Sequence, residues 1–183
     1  MWKLITFGLA TFLLVYISRN SLRNPRSHGF YRFFAWECIL GLFLLNVDFW
    51  FYNPFAWNQL IAWSLLITSL IPLAFGIHSL RTRGKPAAQR ESDSSLLGFE
   101  KTTELITSNI YKYIRHPLYS SLFQLTWGIF FKYPSVAGIT LAITSTFFLV
   151  FTARADEAEC IQYFGPAYNE YMKNTRMFIP FVF

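Results

Sequence analysis

Four stretches of this chain are too long and too apolar for the interior of a small soluble domain. They run roughly from Trp2 to Ser18, Phe30 to Tyr52, Phe55 to Leu80 and Leu118 to Thr152. Each can be measured against the ~20 residues that a helix needs to cross ~30 Å of hydrocarbon. The last stretch is broken by KYPS at 132–135 and divides into two passes, which gives five spans. Its first half, Leu118 to Phe131, is short for a crossing, and a re-entrant helix is the second option there. Composition agrees, because 54% hydrophobic and 20% aromatic content exceeds ordinary soluble usage. The expected fold is all-α, a multi-pass membrane helix bundle of about five transmembrane helices in one domain. Within it, residues 1–80 form three N-terminal spans, 81–117 a cytosolic loop, 118–152 a helical hairpin and 153–183 a cytosolic tail. Lys3 precedes the first run as in a secretory signal, but YISRNSLRNP offers no small-x-small cleavage site, so a retained helix is expected.

Charge sets the orientation. All but Lys3 and Lys132 of the 16 lysines and arginines fall on one side if five passes start with the N-terminus outside. The positive-inside rule then makes the 81–117 loop and the tail cytosolic. The net charge of +6 is accounted for by topology and attraction to anionic lipid headgroups, so no nucleic-acid partner is expected. Oligomeric state is not written in the chain.

Several chemistries leave no mark. There is no CxxC, HExxH, P-loop or glycine-rich dinucleotide fingerprint. Cys38 lies in the second span and Cys160 in the tail, so a disulfide between them is not expected. His28, His78 and His116 are too dispersed in sequence to read as a metal set, and no metal is expected. His78 reads as a helix-end contact near the cytosolic mouth. Glu37 and Asp48 stand about three helical turns apart on one face of the second span, where a headgroup, water or an interhelical partner can satisfy them.

The polar, serine-rich RTRGKPAAQRESDSSLLG reads as a mobile surface link. The segment after it differs, because Leu105, Ile106, Ile110, Tyr111 and Ile114 give it an apolar surface to fold against the bundle. Pro117 suits the first turn of a new helix and biases His116 away from helical geometry. Free N–H groups at that helix start, beside Arg115 and His116, define an anion or polar-cofactor site. The alternative is plainer: Lys112 and Arg115 reach headgroups while Tyr111, Tyr113 and Tyr119 form an interfacial aromatic belt. In the tail, Ile161, Phe164, Tyr168 and Tyr171 share one helical face, and Gly165–Pro166 should end one helix and start another. Glu157 falls on the inward stripe, whereas Asp156 and Glu159 point more sideways. The tail therefore docks on the cytosolic mouth with an acid, or lies there as an ordinary interfacial helix.

The segment LITSNIYKYIRHPLYSS resembles the signature of the membrane isoprenylcysteine carboxyl methyltransferase and phospholipid methyltransferase families. RADE, YFGPAYNEY and RMFIP in the tail match its second half at the right distance. The resemblance implies S-adenosylmethionine bound without a Rossmann fold at the cytosolic end of a helix bundle, with a lipidic or prenylated acceptor arriving from the bilayer. It implies that Leu105, Ile106, Tyr111, His116, Pro117, Leu118 and Tyr119 line the cofactor and that Asp156 and Glu157 face its polar end. Arg115, Arg154 and Glu157 are then the candidate catalytic residues.

The chain departs from that signature at four points. Asn109 and Ser121 stand for glycines, with Asn109 able to keep a left-handed turn. Asp156 shortens the usual Glu-Glu pair. Thr152 occupies a position where some members carry an acceptor-binding arginine, which leaves Arg154 as the nearest cation. The tail also echoes the membrane sterol reductases, which use NADPH and have about twice as many spans. A non-catalytic protein of the same fold is the third alternative.

Overall fold

The computed structural model describes residues 1–84 and 102–182, so the expected surface link falls largely outside the described residues. Helix α1 covers Trp2–Leu22, α2 His28–Asn46, α3 Trp57–Arg83, α4 Pro117–Lys132, α5 Val136–Phe164 and α6 Pro166–Asn174. A 3-10 turn at Val47–Phe49 extends α2. Among the described residues there is no strand, only an isolated parallel bridge between Ile114 and Arg176. The all-α membrane bundle read from the sequence is therefore the fold observed.

Local chemistry explains where the helices begin. Ser27 caps α2 by accepting a hydrogen bond from the Phe30 N–H, and Ser135 caps α5 by accepting from the Gly138 N–H. Pro117 and Pro166 open α4 and α6, where a missing N–H costs nothing. Gly165, at φ 60, makes the break between α5 and α6, a conformation that suits glycine.

Four helices are long and apolar enough to cross a membrane: α1, α2 with its extension, α3 and α5. The short one is α4, whose 16 residues rise only about 24 Å. Its end is finished by side chains in place of water. The Asn46 amide donates to the Ile129 carbonyl at 2.8 Å, Asn58 to Phe131 at 3.1 Å and Gln59 to Lys132 at 3.0 Å. These cover carbonyls that the helix itself leaves open.

Lys132, counted above as an outer charge, stays at the end opposite the tail but is 1% exposed. Its ammonium donates to Gln59 Oε1 at 2.9 Å and lies 3.4 Å from the centre of the Trp63 ring. Gln59→Leu should cost about 2–4 kcal/mol in thermal melts in detergent, because it uncaps a carbonyl and strips the lysine of its acceptor. Lys132→Met should stay within about 1 kcal/mol of the parent, since a buried charge gives way to an apolar side chain of similar length. Equal losses from the two variants would contradict this account.

Helix α3 packs along α4 and α2 along α5. Gly128 lets the first pair approach, since a Cβ there would sit 2.9 Å from the Leu66 side chain and 3.2 Å from its backbone nitrogen. Helix α1 leans on α2 and presents Leu4, Ile5, Leu9, Phe12 and Leu13 outward. The acids of α2 and of its 3-10 extension both meet it: Thr11 donates to Glu37 at 2.9 Å, and Lys3 pairs with Asp48 at 2.6 Å. At the tail end of the bundle, Ala35, Tyr119, Leu149, Ala153 and Phe178 form one packed cluster. That cluster is the floor on which the site is built.

Candidate functional site

The chain enters α4 through a sharp doorway. A 3-10 turn spans Asn109–Lys112 with Asn109 at φ 56, so asparagine does hold the left-handed turn there. His116, at φ −122 and ψ 65, precedes the helix in a non-helical conformation, as its proline neighbour requires.

The final segment is sewn to this doorway by backbone. Arg176 N–H donates to the Tyr113 carbonyl at 3.1 Å, Arg115 N–H to Arg176 at 2.7 Å and His116 N–H to Met177 at 3.2 Å. The Tyr171 hydroxyl adds a bond to the Tyr111 carbonyl at 2.7 Å. Burial pushes the Tyr168 and Tyr171 phenols well up, so both remain neutral.

Side chains then close the corner. Arg115 Nε donates to Glu157 Oε1 at 2.7 Å, and its guanidinium also reaches the carbonyls of Met172 and Thr175. His116 sits between two acids, with Nε2 at 3.3 Å from Glu157 and Nδ1 at 3.4 Å from Asp156. Its ring stacks on Tyr119 at 5.4 Å. Burial opposes the imidazolium, but hydrogen bonds and charge from Asp156 and Glu157 outweigh it and raise the pKa.

The stability this contributes is complete below the unfolded histidine value of about 6.5 and is lost as pH rises through the folded value. Thermal melts should therefore fall as pH climbs above ~6.5, and His116→Asn should flatten that slope. Parallel pH profiles for parent and variant would contradict the assignment.

Between doorway, tail and the ends of α2 and α3 lies a cavity of about 780 Å³, measured out to its mouth. Leu105, Ile106, Tyr111, Arg115, His116, Pro117, Leu118, Tyr119 and Asp156 all line it. Glu157 stands directly behind, holding Arg115 and His116. Arg154 does not join them; it is exposed on the far side of α5 and is absent from the lining. His78 is likewise exposed and lines a separate groove on α3. The aromatic-belt alternative keeps only Tyr113, because Tyr111 and Tyr119 are buried.

Other residues arrive that sequence spacing did not offer. From α2 comes His28, whose Nδ1 lies 2.7 Å from Glu159 Oε2 while its backbone N–H donates to Glu159 Oε1 at 2.9 Å. Glu159 is thus an α2–α5 clasp, and both it and Asp156, half-buried, are engaged by histidines. The histidines are dispersed, yet His28, Asp156 and Glu159 offer ligand atoms within 4.8 Å of one another, an arrangement no histidine spacing signalled. Cys160, Phe164 and Tyr168 complete the tail wall, and Leu80, Thr102 and Glu104 the opposite one.

The cavity lining has two parts of different chemistry. Asp156, Glu159, His28, His116 and Arg115 make up one group of the lining, while Leu80, Ile106, Tyr111 and Leu118 pack together as another. That division fits a zwitterionic amino-acid group joined to a flat, apolar-faced base. Fold and cavity together define an integral helix bundle that closes a polar pocket with its own tail.

Comparison with known proteins finds several similarities to that class. A family model described as phospholipid methyltransferase matches residues 91–166. The methanethiol S-methyltransferase of Pseudomonas deceptionensis is 26% identical over 144 residues, 79% of this chain and 48% of the relative. The human protein-S-isoprenylcysteine O-methyltransferase is 29% identical over 171 residues, 89% of this chain and 59% of the relative. A second methanethiol S-methyltransferase, from Crocosphaera subtropica, is 29% identical over 76 residues, 42% of this chain and 29% of the relative. No solved structure matches. The resemblance carried by the two motifs holds: the chain is similar to membrane methyltransferases of phospholipid and isoprenylcysteine type. It spans 29–59% of the length of these curated relatives.

Proposed function

We propose that this chain is an S-adenosylmethionine-dependent membrane methyltransferase acting on a lipidic or prenylated acceptor. The observation that carries the reading is the cavity itself, where the RHP doorway and the tail acids converge on one pocket. Asp156 is placed to pair with the cofactor's ammonium, and the start of α4 beside Arg115 and His116 to receive its carboxylate. Leu80, Ile106, Leu118 and the tyrosines offer the adenosine an apolar bed. When bound, S-adenosylmethionine supplies a methyl group on a sulfonium, which an acceptor displaces in line.

The chain's own contribution is positioning and shielding, since such a displacement needs little acid–base machinery. An anionic acceptor and a sulfonium lose their charges together, so excluding water favours transfer. A carboxylate acceptor needs no base; an amine or thiol does, and Glu157 beside the pocket, or His116 once it has given up its proton, would take it. The positive-inside pattern supports a cytosolic site with the N-terminus outside. A thiol acceptor is the second reading, favoured by the printed names of two relatives.

Membranes carrying the protein, incubated with methyl-labelled S-adenosylmethionine, should transfer label into a lipid extract. Label recovered only as a volatile thioether after adding methanethiol would favour the thiol reading. Label recovered in neither would overturn both.

A further inference from the structure

The most buried charged-type side chain at the cavity wall is one that the methyltransferase motifs do not contain. His28 opens α2, is fully buried and lines the pocket. Glu159 occupies its backbone N–H and Nδ1, which fixes the ring. The opposite edge carries Nε2, and that atom has no hydrogen-bond partner among the described residues. A buried imidazole nitrogen left without a partner is costly, so such an atom is a place where a ligand atom belongs.

We infer that His28 is a further ligand-binding residue, with Nε2 engaging the amino-acid end of the bound cofactor. This rests on the reading proposed above. Asp156 stands beside the ring, so His28 shares its neighbourhood with the acid assigned to the ammonium. A zwitterion offers both a carboxylate acceptor and an ammonium donor, so it can satisfy Nε2 in either protonation state of the ring. A divalent cation on His28, Asp156 and Glu159 is the competing occupant. It would need Glu159 to surrender oxygens that already hold His28. The site thereby recruits α2, an element outside the matched residues 91–166.

Two substitutions separate binding from packing. His28→Asn keeps an amide near Nδ1 for Glu159 and deletes the Nε2 position, whereas His28→Gln reaches the Nε2 position. Equilibrium binding of labelled S-adenosylhomocysteine to the purified full chain should weaken at least about tenfold in His28→Asn. In His28→Gln it should stay within about threefold of the parent.

Parental affinity in a folded His28→Asn would overturn this assignment and leave the methyltransferase reading standing. No binding by the parent would overturn both. Loss of parental binding on adding EDTA, or a stoichiometric zinc titration without the nucleoside, would hand the triad to a metal and overturn the assignment. If His28→Asn does not fold, the histidine nitrogen resonances of ¹⁵N-labelled parent decide. The signal missing in His28→Gln should shift on saturation with S-adenosylhomocysteine, and an unmoved signal would overturn the assignment.

Discussion

Arg115→Ala should release the C-terminal segment from the bundle and lower stability by about 3–5 kcal/mol, the loss expected when one partner of a buried ion pair is removed. Three contacts disappear together: the bond to Glu157 at 2.7 Å and those to the carbonyls of Met172 and Thr175. Glu157 would be left buried with only His116 for company. In a chain of this size each kcal/mol moves the melting temperature by about 2–4 °C, so a shift on the order of 10 °C is expected in detergent. Tryptic cleavage after Arg176 should accelerate, because the strip then keeps its backbone bonds at Tyr113, Arg115 and His116 and the packing of Phe178 but loses its ionic tie. Arg115→Lys should fall between parent and alanine, since an ammonium keeps the charge but lacks the fork that reaches three acceptors. Unchanged melting and cleavage would mean that Arg115 does not tie the tail down.

Asp156→Asn should cut affinity for S-adenosylhomocysteine about 100-fold while lowering the melt less than Arg115→Ala does. The carboxylate lines the cavity, and its Oδ2 faces His116 at 3.4 Å. Asparagine can still offer an oxygen to that ring, so the corner keeps its shape. It cannot offer a negative charge to an ammonium, and losing one partner of a desolvated charge pair costs about 2–5 kcal/mol. Glu157→Gln should act differently, because Glu157 reaches the pocket through Arg115 and His116; its main effect should appear in the melt. Affinity within about threefold of the parent for Asp156→Asn would remove that acid from the ligand's polar end.

What was legible in the sequence was local. The helices announce themselves by apolar length, two of their starts by Pro117 and Pro166, and the doorway by three cationic or titratable residues set before a proline. Asn109 could be read as a left-handed residue because its side chain tolerates that geometry. The pairs that cross from α2 to α5 were not legible. Nothing around His28 signals Glu159, and helical periodicity alone turned Glu159 sideways, because it describes one helix and not the neighbour that meets it. Lys132 is the same lesson at the other end: a lone lysine before a break reads as a water-facing charge, and only the approach of Gln59 and Trp63 makes a buried position tolerable. Arg115 was read for its charge toward a ligand, whereas its geometry spends most of its donors on the tail.

The central claim is that the tail and the entrance of α4 together enclose the polar end of a nucleoside-linked amino acid. Calorimetric titration of the purified protein in micelles with S-adenosylhomocysteine, and separately with NADPH, tests it most directly. A saturable one-to-one isotherm with the nucleoside and none with NADPH is the predicted result; a silent nucleoside titration, or saturable binding of NADPH in its place, would contradict it.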